Sequence, residues 1–196
     1  MTIRLLGVCG SMRADSYSSR LADIVLAAAR EHGAETRLIE LNGLDLPTYN
    51  PDTERIDHAG LRAATEAVYW ADAFLLASPD YHGSMSGAMK NFLDFYWDEF
   101  AGKLFGYVCA SHEKGLTVME HMRTSVRQCY GWSLPYGVSV YGEHDFDSSG
   151  QLVGKLATRV RMLARDLVVY GALIRGQFQT DLADGITETF AARYSS

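Results

Sequence analysis

What the chain lacks narrows it first. Its 196 residues hold three cysteines, Cys9, Cys109 and Cys129, with no C-x-x-C and no metal-ligand spacing. A zinc centre or a dithiol redox pair is therefore not expected. The thiols read as reduced, small buried hydrophobes, and the expected location is the cytoplasm. No apolar run is long enough to span a bilayer. The N-terminal MTIRLLGVCGS has no extended apolar region of the signal-peptide kind and reads as a first strand. Positive charge is in deficit: Lys and Arg number 18 against 24 Asp and Glu, a formal net charge of -6. That disfavours nucleic acid and anionic membrane as partners. Two phosphate-binding fingerprints are also missing. There is no G-x-x-x-x-G-K-[ST], and Gly7 and Gly10 have no third glycine to complete a G-x-G-x-x-G. Repeats, low-complexity segments and obvious linkers are absent too.

What is present is ordinary globular composition, 47% hydrophobic and 21% charged, and the length predicts one domain over residues 1–196. The stretch from Ala71 to Phe95 is the most informative. Its apolar run, Ala73 to Ala77, has the length of a buried strand. Pro79 stops the run, having no N–H for a ladder. A polar turn with Tyr81, His82 and Gly83 follows. Met85, Met89, Phe92 and Phe95 then recur at helical spacing. Strand, glycine-containing loop and helix make one βα unit of a parallel sheet, and ligands bind beyond the carboxyl ends of such strands. The turn holds no cysteine and no paired carboxylates. It suits the holding of a flat, polar-edged ligand better than nucleophilic attack.

The same alternation runs along the chain. Strands are expected at Ile3–Cys9, Thr36–Leu41, Asp72–Ser78, Lys103–Ser111 and Tyr136–Tyr141. Helices are expected at about Ser18–His32, Ala59–Trp70, from the turn to about Glu99, at Thr117–Tyr130 and at Gln151–Tyr170. Asn42 to Asp57 reads as a long loop with Pro47 and Pro51, and the tail from Gly171 onward carries no clear pattern. The predicted fold is a flavodoxin-like, doubly wound α/β sheet of five parallel strands in the order 2-1-3-4-5.

The loop after the first strand, Gly10 to Ser19, carries four serines and Arg13. A helix N-terminus offers unpaired N–H groups and the positive end of a dipole; hydroxyls and a guanidinium add donors for phosphate. Asp15 or Ser16 is the expected helix cap. A terminal phosphomonoester fits this loop better than a bridging pyrophosphate. Glu40, near the end of the second strand, is the one hint of a dinucleotide-binding acid.

These residues resemble the NADPH-dependent FMN reductases, flavodoxin-like flavoproteins that include quinone, chromate and azo reductases. The family opens with G-S-x-R-x-x-S, here Gly10, Ser11, Arg13 and Ser16. Its T-P-E-Y-N-G-S-x-P-G-x-L-K-N-x-x-D pattern is matched from Ser78 to Asp94, with Asp80, His82 and Ser86 in place of the usual Glu, Asn and Pro. Asp45–Asp52 and Phe146–Gly150 match two further segments, and the likeness extends to about Leu167. After the fourth strand the family's glycine-rich loop is replaced by the bulkier Ala110-Ser111-His112-Glu113-Lys114-Gly115. The resemblance implies FMN as cofactor and NADPH as donor. It implies FMN contacts at Ser11, Arg13, Ser16, Tyr17 and Ser18 in the first loop. Further contacts are implied at Pro79, Asp80, Tyr81, His82, Gly83 and Ser84, and at Ser111, His112 and Gly115. No catalytic side chain and no metal ligand is expected, because the isoalloxazine ring itself carries hydride and electrons.

Two functions fit. One is an NAD(P)H oxidoreductase reducing a quinone, flavin, azo compound or metal oxyanion by a ping-pong mechanism. The other is a flavodoxin-type FMN-binding electron-transfer module without NAD(P)H activity. The resemblance also implies a homodimer or homotetramer. The aromatic group Phe92, Phe95, Tyr96, Trp97 and Phe100 is expected to supply part of the subunit contact. His144, Asp145 and Asp147 are expected to be solvated or at that contact.

Overall fold

The computed structural model describes residues 1–52 and 57–194. Residues 53–56 of the long loop, and 195–196 of the tail, lie outside the described residues. The first strand, β1 (Arg4–Cys9), is central, with β2 (Glu35–Glu40) on one side and β3 (Ala73–Pro79) on the other. Outside β3 lies β4 (Leu104–Ala110), and all these pairings are parallel. The order 2-1-3-4-5 is as the sequence predicts.

The fifth position differs in detail. It is filled by two short strands, β5 (Trp132–Ser133) beside Leu104–Phe105 and β6 (Val138–Val140) beside Val108–Ala110. Pro135 lies between them and has no N–H to continue a ladder, which is tolerated at a sheet edge.

Side chains of each strand alternate between two layers, as strand geometry requires. Leu5, Leu75, Ala77, Leu104 and Val108 pack under α1 (Tyr17–Glu31) and the long α5 (Gly154–Ala183). Leu6, Val8, Phe74, Leu76, Phe105 and Tyr107 pack under α2 (Ala59–Trp70), α3 (Gly87–Asp94) and α4 (Leu116–Gln128). Consecutive loops at the carboxyl end of β1 and β3 therefore leave for opposite faces. That opens a crevice at the switch point between them.

Two expectations change. The third helix ends at Asp94 rather than near Glu99, and Tyr96 and Phe100 beyond its end are buried with Phe92. Phe74 stacks on Phe105 at 4.6 Å, and Phe100 meets both rings edge-on. Most of the aromatic group expected at a subunit contact is thus core of this chain, while Trp97 remains 63% exposed. The last helix runs to Ala183, well past Tyr170, and a short α6 (Phe190–Tyr194) follows. Phe178 and Ala191 form a small apolar cluster with Ala101, the sequence reason for the order of the tail.

At the amino end of the sheet, opposite the crevice, Arg4 forks onto buried Asp72 at 2.9 and 3.0 Å, and Arg175 Nε approaches it at 3.5 Å. Burial pushes the Asp72 carboxyl up, but the Arg4 hydrogen bonds and charge outweigh it and hold the group below the usual range. Beside them Lys103 is buried and donates to Val68 O at 2.8 Å. Among the described residues no helix is long and apolar enough to cross a membrane.

Candidate FMN site

Three loops meet at the carboxyl end of the sheet. In the first, Gly10 is pressed against α3: a Cβ there would come within 2.8 Å of Met89 Cβ and Ser86 Oγ. Ser86 Oγ donates to Gly10 O at 2.6 Å and accepts from Met89 N at 3.1 Å, so one hydroxyl caps α3 and ties the first loop to the second. Ser11 is buried and its Oγ accepts from Arg13 N at 3.2 Å, while the Arg13 side chain stands exposed. Asp15 turns the chain at φ 53. Ser16, not Asp15, is the cap of α1, accepting from Ser19 N at 3.1 Å. Ser18 Oγ is buried with no hydrogen-bond partner among the described residues. The first-turn N–H groups of Tyr17 and Ser18 also find no acceptor there. A buried hydroxyl beside free N–H donors at a helix start is the donor set a phosphate needs.

The second loop is a tight turn. Tyr81 N reaches Ser84 O at 3.0 Å and Ser84 N reaches Tyr81 O at 3.2 Å. His82 and Gly83 between them have φ 56 and 77. Two positive φ values in a row define a type I′ turn, for which Asn-Gly is the favoured pair. His82 therefore occupies a position whose backbone prefers the family's Asn. Asp80 fastens the turn: Oδ1 accepts from Gly83 N at 2.8 Å and Oδ2 from Ser111 Oγ at 2.6 Å. Of the N–H groups from Asp80 to Ser84, only that of His82 has no protein acceptor among the described residues. Tyr81 and His82 are both exposed, and Pro79 is partly buried at the strand end.

The third loop follows β4. Ser111 is buried and bonded to Asp80, Glu113 N and Val140 O. His112 is exposed and meets Tyr141 edge-on at 5.0 Å; Tyr141 stacks on His144 at 4.9 Å. Gly115 lies inside, where a Cβ would come within 2.7 Å of Cys109 Sγ. Burial pushes that thiol up to about 12, so it holds its proton and offers no nucleophile. A cavity of about 340 Å³ lies behind this loop, lined by Ser111, His112, Lys114, Ser139, Tyr141 and others. Ser139 Oγ is a second buried hydroxyl without a partner among the described residues.

Further side chains join the site from a distance; Phe146 and Asn91 lie in segments that match the family pattern, whereas His121 carries no local sequence signal. Phe146 stacks on Tyr17 at 5.7 Å and closes the first loop from the side of the last one. His121 reaches Ser84 across 37 positions of sequence. Asn91 holds the 47–49 segment onto α3 through Pro47 O and Tyr49 N. Asp145 accepts from Tyr141 N within its own loop. Among the described residues no cluster of His, Cys, Asp or Glu could hold a metal.

The model of the family described as NADPH-dependent FMN reductase matches residues 3–145. The chain belongs to the NADPH-dependent FMN reductase family. An FMN-dependent NADPH-azoreductase of Staphylococcus aureus is 30% identical over 149 residues, covering 71% of this chain and 76% of that protein. Among solved structures, FerB, a flavoenzyme NAD(P)H:(acceptor) oxidoreductase from Paracoccus denitrificans, superposes with a TM-score of 0.75 at 18% identity. It covers 88% of this chain and 98% of FerB. The NADH:FMN oxidoreductase EMOB gives 0.72 at 20%, covering 85% and 88%. This reductase is thus an oxidoreductase with FMN as cofactor and NADPH as electron donor. The donor set of the first loop fits the phosphate of FMN.

Proposed function

We propose that this reductase takes electrons from NADPH and passes them through FMN to a small acceptor in a ping-pong sequence. The acceptor is of the quinone, flavin, azo or metal-oxyanion kind. FMN, when bound, supplies the hydride and electron chemistry. Ser11, Arg13, Ser16, Tyr17 and Ser18 hold its phosphate through hydroxyls, helix-start N–H groups and a guanidinium. The turn from Pro79 to Ser84 orients the ring, with the His82 N–H as the free donor and Tyr81 and His82 bordering the exposed face. Ser111, His112 and Gly115 form the third wall. With these loops around it the flavin would be open on one side, which donor and acceptor would have to share; that is the reason for proposing ping-pong order. The working form is a homodimer or homotetramer in the cytoplasm, acting on small molecules rather than nucleic acid or membrane.

The observation that carries this reading is the buried Ser18 Oγ which, like the N–H groups of Tyr17 and Ser18 at the α1 start, has no hydrogen-bond partner among the described residues. Apoprotein titrated with FMN should quench flavin fluorescence, and riboflavin, lacking the phosphate, should bind much more weakly. NADPH added without oxygen should bleach the bound flavin. Equal affinity for FMN and riboflavin would refute the phosphate role. Failure to bleach would favour a plain electron-transfer module. Double-reciprocal plots that intersect rather than run parallel would refute the ping-pong order.

A further inference from the structure

We propose that His121 is a positioning residue for the turn that faces the flavin, acting through Ser84. The role rests on the function proposed above. His121 lies in the second turn of α4, and its Nδ1 is 2.9 Å from Ser84 Oγ. Ser84 closes the Tyr81–Ser84 turn through both backbone bonds with Tyr81. The near corner of that turn is fixed by Asp80, which bonds Gly83 and Ser111. The far corner is fixed by His121. Thr117 stands one helical turn before His121, on the same face of α4. Its Oγ1 lies 3.8 Å from where a Gly83 Cβ would be, so this face of α4 backs the turn at Gly83 and Ser84.

The consequence falls on His82. Its N–H is the one donor from Asp80 to Ser84 with no protein acceptor among the described residues, and its direction is set by how the turn is seated. Hydrogen bonds weaken steeply with misalignment. A small movement of Ser84 on loss of its anchor therefore re-aims the His82 N–H, although the His121 ring bonds the turn at the serine and not at His82.

The test is a double-mutant cycle on the FMN-loaded protein with His121→Ala, Ser84→Ala and the pair. Two quantities are read: FMN dissociation by fluorescence quenching, and the two-electron midpoint potential of the bound flavin. Each single variant should weaken FMN by about three- to ten-fold, the worth of one hydrogen bond. A ten-fold difference between effects on the oxidised and reduced forms would move the potential by about 30 mV. The double variant should be no worse than either single, because all three lack the same bond. His121→Asn, whose amide falls near the place of Nδ1, should restore affinity and potential; His121→Gln, reaching further, should restore less. Unchanged affinity and potential in both single variants, or fully additive losses, would overturn the role. Neither readout uses NADPH. Wild-type protein that binds FMN but is not bleached by NADPH would overturn the proposed function while this cycle still decides His121. Wild-type protein that takes up no FMN would overturn both.

Discussion

Ser86 offers the sharpest test of how the site is built, because one hydroxyl serves two loops. Replacing it with alanine removes the cap of α3, a loss of about 1 kcal/mol. It also leaves Gly10 O, buried and accepting at 2.6 Å, without its donor, a cost of about 1–3 kcal/mol. Together Ser86→Ala should lose roughly 3 kcal/mol. With a urea slope near 2 kcal/mol per molar, the midpoint should fall by about 1–2 M. Ser86→Pro restores the residue usual in the family, and its φ of -60 suits proline. Yet it also deletes the N–H that donates to Ser78 Oγ at 3.0 Å, so it should be no more stable than Ser86→Ala. Urea unfolding of apoprotein and FMN-saturated protein would separate the two parts of the effect. FMN stabilises by mass action according to its affinity. If Gly10 shifts when Ser86 is lost, the gain on adding FMN should be smaller in the variant than in wild type. A Ser86→Ala apoprotein within about 0.5 kcal/mol of wild type would refute the argument, since surface-like neutrality is incompatible with an orphaned buried carbonyl.

Three further outcomes are expected. Ser18→Ala should leave apoprotein stability unchanged or raise it by about 1 kcal/mol, because the buried hydroxyl has no partner among the described residues to lose. It should still weaken FMN by about two- to ten-fold; a destabilised apoprotein in urea unfolding would sink this. Burial lowers the Lys103 ammonium to about 8 in the folded protein, against 10.5 ordinarily. The unfolded chain therefore binds that proton more tightly, and the Lys103 contribution to stability rises between about pH 8 and 10.5, by roughly 3 kcal/mol at 1.36 per pH unit. Buried thiols such as Cys109 pull the other way above pH 9, so the effect is read as wild type minus Lys103→Met across pH 7 to 10; equal slopes would refute it. His82→Asn should raise thermal stability by up to about 0.5 kcal/mol, given the type I′ geometry at φ 56, and keep FMN affinity, since the backbone N–H is retained. A clear loss of affinity would mean that the imidazole itself holds the flavin.

The sequence by itself determined the layered fold and pointed to the loops of the candidate site. Buried β runs alternating with helical stripes at 3.6-residue spacing leave few arrangements, and a polar, serine-rich loop after the first strand marks the anion end of one of them. Local chemistry also reached the turn after β3, because glycine and the preceding polar residue announce positive φ. The sequence admits either Asp15 or Ser16 as the cap of α1; backbone geometry, with Asp15 at φ 53 and Ser16 accepting from Ser19 N, decides for Ser16. What tertiary structure alone decided lies in contacts between residues far apart in the chain. Ser86 to Gly10 spans 76 positions, Asp80 to Ser111 31, and His121 to Ser84 37. No periodicity encodes such pairs, since each depends on where whole elements come to rest. The aromatic group from Phe92 to Phe100 makes the same point. Its aromatic richness reads as more than one buried stripe needs and so as part of a subunit contact, yet Phe92, Tyr96 and Phe100 are buried in this chain. The inward turn after Asp94, which seats Phe100 against Phe74 and Phe105, is settled by packing volume on that face of the sheet.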